Sequence, residues 1–400
     1  MTQRYDTYKD SGVQWLGEIP GHWGCVPLKR ICEMKSGNNL TSLDILDKGE
    51  FPVYGANGFR GYYNQYNKEG KYILIGRQGA LAGNVHLVDG KFWATDHAVV
   101  TNITSDKVFV DYISLALISM NLNQYAFDTA AQPGLAVSKI ISFSTPLPPL
   151  SEQHSIVSFL DDKCGKIDKM LEGKQKQIEL LAEMKQRIIA DAVTHGLNPD
   201  VKMKAINIPW LPEIPEHWEM KRSKYLLKLL TESTKRTRKI GLENIESNSG
   251  KYILTESIFD GDGVDFDRGD ILYGKLRPYL NKVWLAEFDG NAVGDFYVYR
   301  AKNGYLNSFA KYLLMSSCFV GISNASTYGA KMPRVSSQFI HSLHFPVPPL
   351  SEQRAIVSYL DDKTTKIDTL TSKLQQEIES IKEYKQRLIS DVVTGQLKVC

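Results

Sequence analysis

The chain contains reactive side chains, but their spacing does not build a catalytic pattern. Methyl transfer to an amine calls for a polar residue ahead of a Pro-Pro pair, in the form [DN]-P-P-[YFW]. The Pro-Pro pairs stand instead in Leu147-Pro148-Pro149-Leu150 and Val347-Pro348-Pro349-Leu350, which read as stops ahead of a helix. No Gly-Lys pair followed by Ser or Thr has the spacing of a phosphate-cradling loop. Glu33-Met34-Lys35 and Glu383-Tyr384-Lys385 have the E-x-K spacing of part of a nuclease site. The first lacks a partner aspartate in a strand, and the second falls on a heptad-patterned helix. His341 and His344 form an HxxH without the cysteine or carboxylate cluster that would complete a metal site. The five cysteines, Cys25, Cys32, Cys164, Cys318 and Cys400, are odd in number and contain no CxxC. The expectation is a binding protein with no catalytic residue, no metal, and no cofactor held by this chain.

The elements that would position a binding surface are announced by an internal repeat. Pro148 to Lys163 reads PPLSEQHSIVSFLDDK and Pro348 to Lys363 reads PPLSEQRAIVSYLDDK, identical at 13 of 16 positions at an offset of 200. KQRIIADAVT from Lys185 and KQRLISDVVT from Lys385 keep that offset. Trp15 to Trp23, WLGEIPGHW, matches Trp210 to Trp218, WLPEIPEHW, at an offset of 195. In mid-chain a PPLSEQ helix is followed by this tryptophan element. After the second PPLSEQ helix the element is missing, and its counterpart lies at residues 15–23. The order is circular, and two copies closed this way imply a pseudo-two-fold axis within one polypeptide.

Between the repeated segments the residues diverge while the element order agrees. Tyr72–Gly76, Asn84–Val88 and His97–Thr101 read as short strands ahead of a helix near Asp111–Asn121. Asp270–Gly274, Lys282–Ala286 and Phe296–Arg300 read likewise ahead of a helix near Ser308–Cys318. The fold class is α+β: two mixed, strand-rich globular domains joined by two long helices.

After PPLSEQ the apolar pattern changes to heptads. The first seam runs through Leu160, Ile167, Leu171, Ile178, Leu181 and Ile188, with Cys164, Lys174, Lys185 and Ala192 filling the remaining positions. The second runs through Leu360, Ile367, Leu374, Ile378, Ile381 and Leu388. Ser151 and Ser351 are suited to cap the helices, and Glu152 and Glu352 to face the positive end of the dipole. Gly196 and Gly395 mark the ends. A helix from Ser151 to Thr194 would extend about 65 Å. Gly165 and Gly173 each cost about 1 kcal/mol relative to alanine, so a kink is admissible there. The helices either pair with each other as an antiparallel coiled coil, or each packs only on its own globular domain. The pairing is the more economical, because it covers both seams.

At 42% hydrophobic and 23% charged the composition is that of a folded chain, and a net charge of +3 identifies no partner. The N-terminus lacks the apolar core of a signal peptide, and no segment approaches the roughly 20 apolar residues of a membrane span. A reduced, soluble, cytoplasmic protein is expected.

The doubled PPLSEQ helix, the W-L-x-E-I-P-x-H-W element and the run GDILYGKLRP at Gly269–Pro278, with its weaker counterpart YILIGRQG at Tyr72–Gly79, resemble the specificity subunits of type I restriction–modification enzymes. The resemblance covers nearly the whole chain. It implies a first target recognition domain at residues 1–149, with residues 1–23 completing the second repeat, and a first spacer helix at 150–196. The repeated linker would occupy 197–218, the second target recognition domain 219–349 and the second spacer helix 350–400. Each domain would read one half of a split double-stranded DNA target. The helices would set the spacing and dock two modification subunits, which would carry S-adenosylmethionine and methylate adenine at N6. Restriction subunits would bring ATP- and Mg2+-dependent translocation and cleavage. The alternative is a stand-alone coiled-coil scaffold that binds DNA or protein; a self-sufficient enzyme with an unfamiliar site is a further reading.

Under that resemblance the DNA-contact candidates are loop residues able to bind phosphates or base edges. Eight basic residues against one acid lie between Lys221 and Lys239, and Lys235, Arg236, Arg238 and Lys239 fall in a Ser/Thr-rich loop. Lys275, Arg277 and Tyr279 follow a strand, and Arg77 and Gln78 hold the matching place in the first half. Asn57, Arg60, Tyr62 and Tyr63 lie in a Gly/Asn/Tyr-rich run read as a loop. Tyr328, Lys331 and Arg334 precede the second long helix. A solvated surface for the cations, and packing for the tyrosines, are the alternative readings.

Overall fold

The computed structural model describes residues 4–79, 82–126, 134–234, 236–302, 304–329 and 331–399. The chain forms two compact units. The first comprises Met1–Lys174 and Gln376–Cys400, the second Gln175–Gln375. Each unit thus contains one globular domain, the opening half of the helix that follows it, and the closing half of the other helix.

The first unit is built on an antiparallel sheet ordered Cys32–Ser36, Ala98–Ile103, Tyr72–Gly76, Val85–Val88. A second sheet is ordered Gly58–Tyr63, Phe51–Gly55, Lys91–Ala94, Lys68–Glu69, with one parallel pairing. The second unit repeats the plan. Leu227–Leu230, Phe296–Ala301, Ile271–Gly274 and Val283–Leu285 form its antiparallel sheet. Lys239–Ile240, Gly290–Ala292 and Val264–Phe266 form the smaller one.

The apolar runs YILIG and DILYG follow from this layering. Side chains alternate across a strand. Ile73 and Ile75 join the main core under the helix Val110–Ser119, while Leu74 joins a smaller core with Val88 and Phe92. Ile271 and Tyr273 join the second unit's main core, and Leu272 packs with Phe266 and Trp284 in the smaller one. A strand covered on both faces needs no polar alternation.

The long helices are Leu150–His195 and Leu350–Val393. Ser151 and Ser351 are already inside them rather than capping them, because Pro149 and Pro349 occupy the turn and accept from the amides of Gln153 and Gln353, both at 3.0 Å. Gly165 and Gly173 face open space and do not interrupt the first helix. The second ends at Val393, and Gly395 turns the chain at φ +76°. A Cβ on Gly395 would lie 2.3 Å from Pro20, so only glycine lets this turn close on the N-terminal element.

Candidate nucleic-acid interface and the clamp behind it

The repeated motifs meet in a clamp, present once in each unit. In the first, Trp23 Nε1 donates to Glu152 Oε2 at 3.0 Å, Tyr5 Oη donates to the same oxygen at 3.1 Å, and His22 Nε2 lies 2.6 Å from Oε1. In the second, Trp218 Nε1 donates to Glu352 Oε2 at 2.9 Å and His217 Nε2 lies 2.7 Å from Oε1. Both tryptophans are fully buried. Burial pushes the Glu152 carboxyl up, but the hydrogen bonds from His22 and Trp23 outweigh it and hold the group below its ordinary value. The next residue completes the lock. Gln153 accepts from the Phe109 amide and donates to Lys107 O and Pro148 O; Gln353 accepts from the Leu306 amide and donates to Gly304 O and Pro348 O. The His-Trp and Glu-Gln pairs repeat in the sequence, so the repeat itself carried the signal for this clamp, although the partners are some 130 residues apart.

Within each unit the helix halves pair antiparallel. In the second unit Lys185 Nζ meets Asp368 at 2.7 Å; in the first Lys385 Nζ meets Asp168 at 2.7 Å and Lys174 pairs with Glu377. Partner numbers fall on one helix as they rise on the other. These are the same residues exchanged between copies, since 185 and 385, like 168 and 368, differ by 200. Leu160, Leu360, Ile367, Ile378 and Leu388 are buried; Ile167, Leu171, Ile178, Leu181, Leu374 and Ile381 are half-buried along the seam. Near the end of the first helix the buried face passes from Ile188, half-buried, to Ile189, Ala192 and Val193. A straight helix drifts from a strict heptad, and here the helix leaves its partner for the globular core. The circular order is visible in the closure: Tyr8 Oη donates to Gly395 O at 2.8 Å and Gln396 Nε2 to Glu18 O at 2.7 Å.

The candidate contact residues are sorted by what already binds them. In the second unit Arg334 holds Asp295 through two hydrogen bonds of 3.0 and 2.9 Å, and Lys275 stands 3.8 Å from the same carboxylate. Arg236 donates to Asp267 at 2.7 Å and to Phe266 O, and with Arg300 holds the Asp267 carboxyl below its ordinary value. Arg238 stacks 3.1 Å above the Phe288 ring, and Lys239 donates to Gly261 O at 2.9 Å. Lys235 lies outside the described residues. Arg277, Tyr279, Tyr328 and Lys331 are exposed, the tyrosines to 50% and 59%.

In the first unit Arg77 donates to Ser36 Oγ at 3.2 Å, and Gln78 Oε1 lies 3.0 Å from His97 Nδ1, both at the end of the strand Tyr72–Gly76. The Gly/Asn/Tyr-rich run is a β-hairpin rather than a loop. Phe51–Gly55 pairs with Gly58–Tyr63, Asn57 sits in the turn, and Gly58 at φ +83° closes it. Tyr54 packs against Phe59 across the hairpin at 6.2 Å, and Tyr63 packs against Trp93 of the strand Lys91–Ala94 at 5.1 Å. Arg60 is exposed on its second strand, and Tyr62 and Tyr63 are half-buried.

The remaining reactive side chains are dispersed. Glu33 and Lys35 pair on the exposed face of the strand Cys32–Ser36, and Lys385 is committed to Asp168. Among the described residues no group of three or more His, Cys, Asp or Glu could hold a metal ion.

Two like-built units, each with candidate cations and aromatic rings on loops or a hairpin beside the central sheet and each braced by paired helix halves, define a duplicated recognition protein. The type I restriction modification DNA specificity domain matches the chain twice, over residues 20–180 and 215–380, and the chain belongs to that family. The EcoprrI specificity subunit of Escherichia coli is 40% identical over 164 residues, spanning 40% of this chain and 40% of that relative. The EcoDI specificity subunit of Escherichia coli is 21% identical over 407 residues, covering 95% of this chain and 90% of its own. A chain from a structural study of complex assembly and conformational transition in a type I restriction–modification system shares the fold, with a TM-score of 0.67 and 15% identity over 95% of this chain and 99% of that one.

Proposed function

We propose that the chain is the sequence-reading subunit of a type I restriction–modification complex, each unit reading one half of a split double-stranded DNA target. The observation that carries this is the specificity domain matched once in each half of the chain. Exposed Arg277, Tyr279, Tyr328 and Lys331 on one unit, and Arg60 on the other, supply side chains suited to phosphates and base edges. Catalysis belongs to partners. Two modification subunits bring S-adenosylmethionine and methylate adenine, and restriction subunits bring ATP- and Mg2+-dependent cleavage. The helix pair is where the modification subunits dock. In its support, Leu180, Met184 and Leu370 leave apolar surface exposed around a cavity of about 390 Å3 in the second unit. Among the described residues no helix is long and apolar enough to cross a membrane, and the complex is proposed to act in the cytoplasm.

The test is co-purification of the chain from its host with its partners, followed by mapping of methylated adenines. Methylation confined to a split sequence that disappears when this chain is deleted is the expected result. A modification pattern unchanged by the deletion, or sequence-specific methylation by the purified chain alone, overturns the proposal. Binding should weaken steeply with salt, because phosphate neutralisation releases counterions.

A further inference from the structure

The loops that leave the central strands match residue by residue through their backbone hydrogen bonds. Each strand ends in a glycine whose amide donates to the start of the next strand, Gly76 to Asn84 O and Gly274 to Lys282 O. The following amides donate from Arg77 to His97 O and from Lys275 to Asp295 O, both at 2.9 Å. The carbonyls of the same two residues accept from Leu135 and Val335. Gln78 then bridges to Gly134, and Leu276 to Arg334. The next position is left-handed in both units: Gly79 at φ +85° and Arg277 at φ +49°.

One unit therefore places glycine where the other places arginine. Packing does not demand the glycine, because a Cβ on Gly79 would meet nothing within 4 Å. The backbone favours it, since a left-handed conformation costs a residue with a side chain roughly 1–2 kcal/mol. Among the described residues the other non-glycine positions with positive φ are Asn121, Asn248 and Asn281, and asparagine tolerates that conformation well. Pro278 steers Arg277 away from the right-handed region, yet glycine would satisfy that constraint at less cost. The reason for arginine lies in its side chain. That side chain is exposed, and its guanidinium makes no hydrogen bond or ion pair among the described residues.

The surroundings fix the backbone that carries this arginine. The Arg277 amide donates to Pro333 O at 2.8 Å, tying its loop to the loop carrying Tyr328 and Lys331. Asp295 binds Arg334 and Lys275 on the two sides of that junction, so these cations brace the loops while Arg277 stays unengaged. A phosphate contact needs only a flexible cation at an unstrained position. A fixed, strained backbone suits a contact whose geometry matters.

We infer that Arg277 reads a base: its guanidinium donates two hydrogen bonds to O6 and N7 of a guanine in the half-target of the second unit. The first unit, with Gly79 at that place, makes no equivalent contact, so the two half-targets differ there. This rests on the DNA-reading role proposed above.

The experiment is selection of bound duplexes from a randomised library by the full-length chain with its co-purified modification subunits, using wild type, Arg277→Gly and Arg277→Lys. Wild type is expected to enrich a split motif. Arg277→Gly, whose backbone is relaxed and whose melting temperature should equal or exceed that of wild type, should lose preference for one G·C pair in one half by about tenfold or more, leaving the other half unchanged. Arg277→Lys should keep affinity yet lose the same preference, because an ammonium lacks the planar fork. An unchanged motif, a uniform weakening without loss of any base preference, or full reading by Arg277→Lys overturns the inference while the DNA-reading role stands. A wild-type complex that enriches no motif overturns that role and this inference with it.

Discussion

The two units agree where the chain repeats itself and part where strands run out into loops. Glu152 and Glu352 are each gripped by a His-Trp pair, with tryptophan nitrogens at 3.0 and 2.9 Å. At the matching strand ends, Arg77 and Gln78 beside Ser36 and His97 stand against Lys275 and Arg334 bound to Asp295. The clamp ties the tryptophan element to the start of a long helix through one carboxylate, so its residues are constrained by their contacts. A loop end is held by its backbone bonds, so its side chains are free to differ. Two like-built anchors can therefore present two different readers.

Substitutions in the clamps and along the helix seams test how alike the two units are. Trp218→Ala should cost about 3–5 kcal/mol in urea unfolding, and Trp23→Ala a similar amount, because each empties a fully buried site and strips a donor from a carboxylate. Costs differing by more than about twofold would mean the two clamps are not equivalent. Leu374→Asp places an unpaired charge in the second unit's seam and should cost about 3 kcal/mol, with loss of modification-subunit binding by gel filtration. Normal complex formation by that variant would remove the helix pair from the docking role. The first unit already carries Lys174 at the matching position, paired with Glu377, so Lys174→Leu should be neutral or stabilising within about 1 kcal/mol.

Glu152→Gln should cost about 1 kcal/mol near neutral pH, read from the urea midpoint. The Glu152 carboxyl is depressed in the folded chain, so its contribution is complete above the ordinary value of 4.5 and is lost as pH falls through the lower folded value. The gap between wild type and Glu152→Gln should therefore close in acid; a gap that widens there would contradict the clamp's electrostatics. Asp295→Asn frees Lys275 and Arg334 at a partly exposed site, so stability should change by less than about 1 kcal/mol. Its effect should appear instead as blurred base preference in the half-target that depends on Arg277.

Much of this architecture was legible in the sequence. The strands around Tyr72, Asp270 and Phe296, both long helices and their pairing followed from period, repeat and circular order. The contact residues were less legible, for a physical reason. Arg277, Lys275, Arg334 and Arg236 are alike as letters, and only the placement of Asp295 and Asp267 separates braces from exposed side chains. The hairpin at Phe51–Tyr63 escaped because glycines and tyrosines suggest a loop, while cross-strand ring contacts favour a sheet. Ser151 looked like a cap because serine usually is one, but the preceding prolines had already set the turn.

Each unit draws its helix pair from both long helices, one segment from each. Residues 197–200, exposed between the first helix and the next repeat, are the covalent joint between the two halves of the chain. A protease that cut there would not release either half. Both fragments would stay bound through the Lys185–Asp368 and Lys385–Asp168 pairings and the seams around them, and would part only when the helices melt. The peptide bond at that joint keeps the two copies at equal number; the interlocked helices are what keep them together.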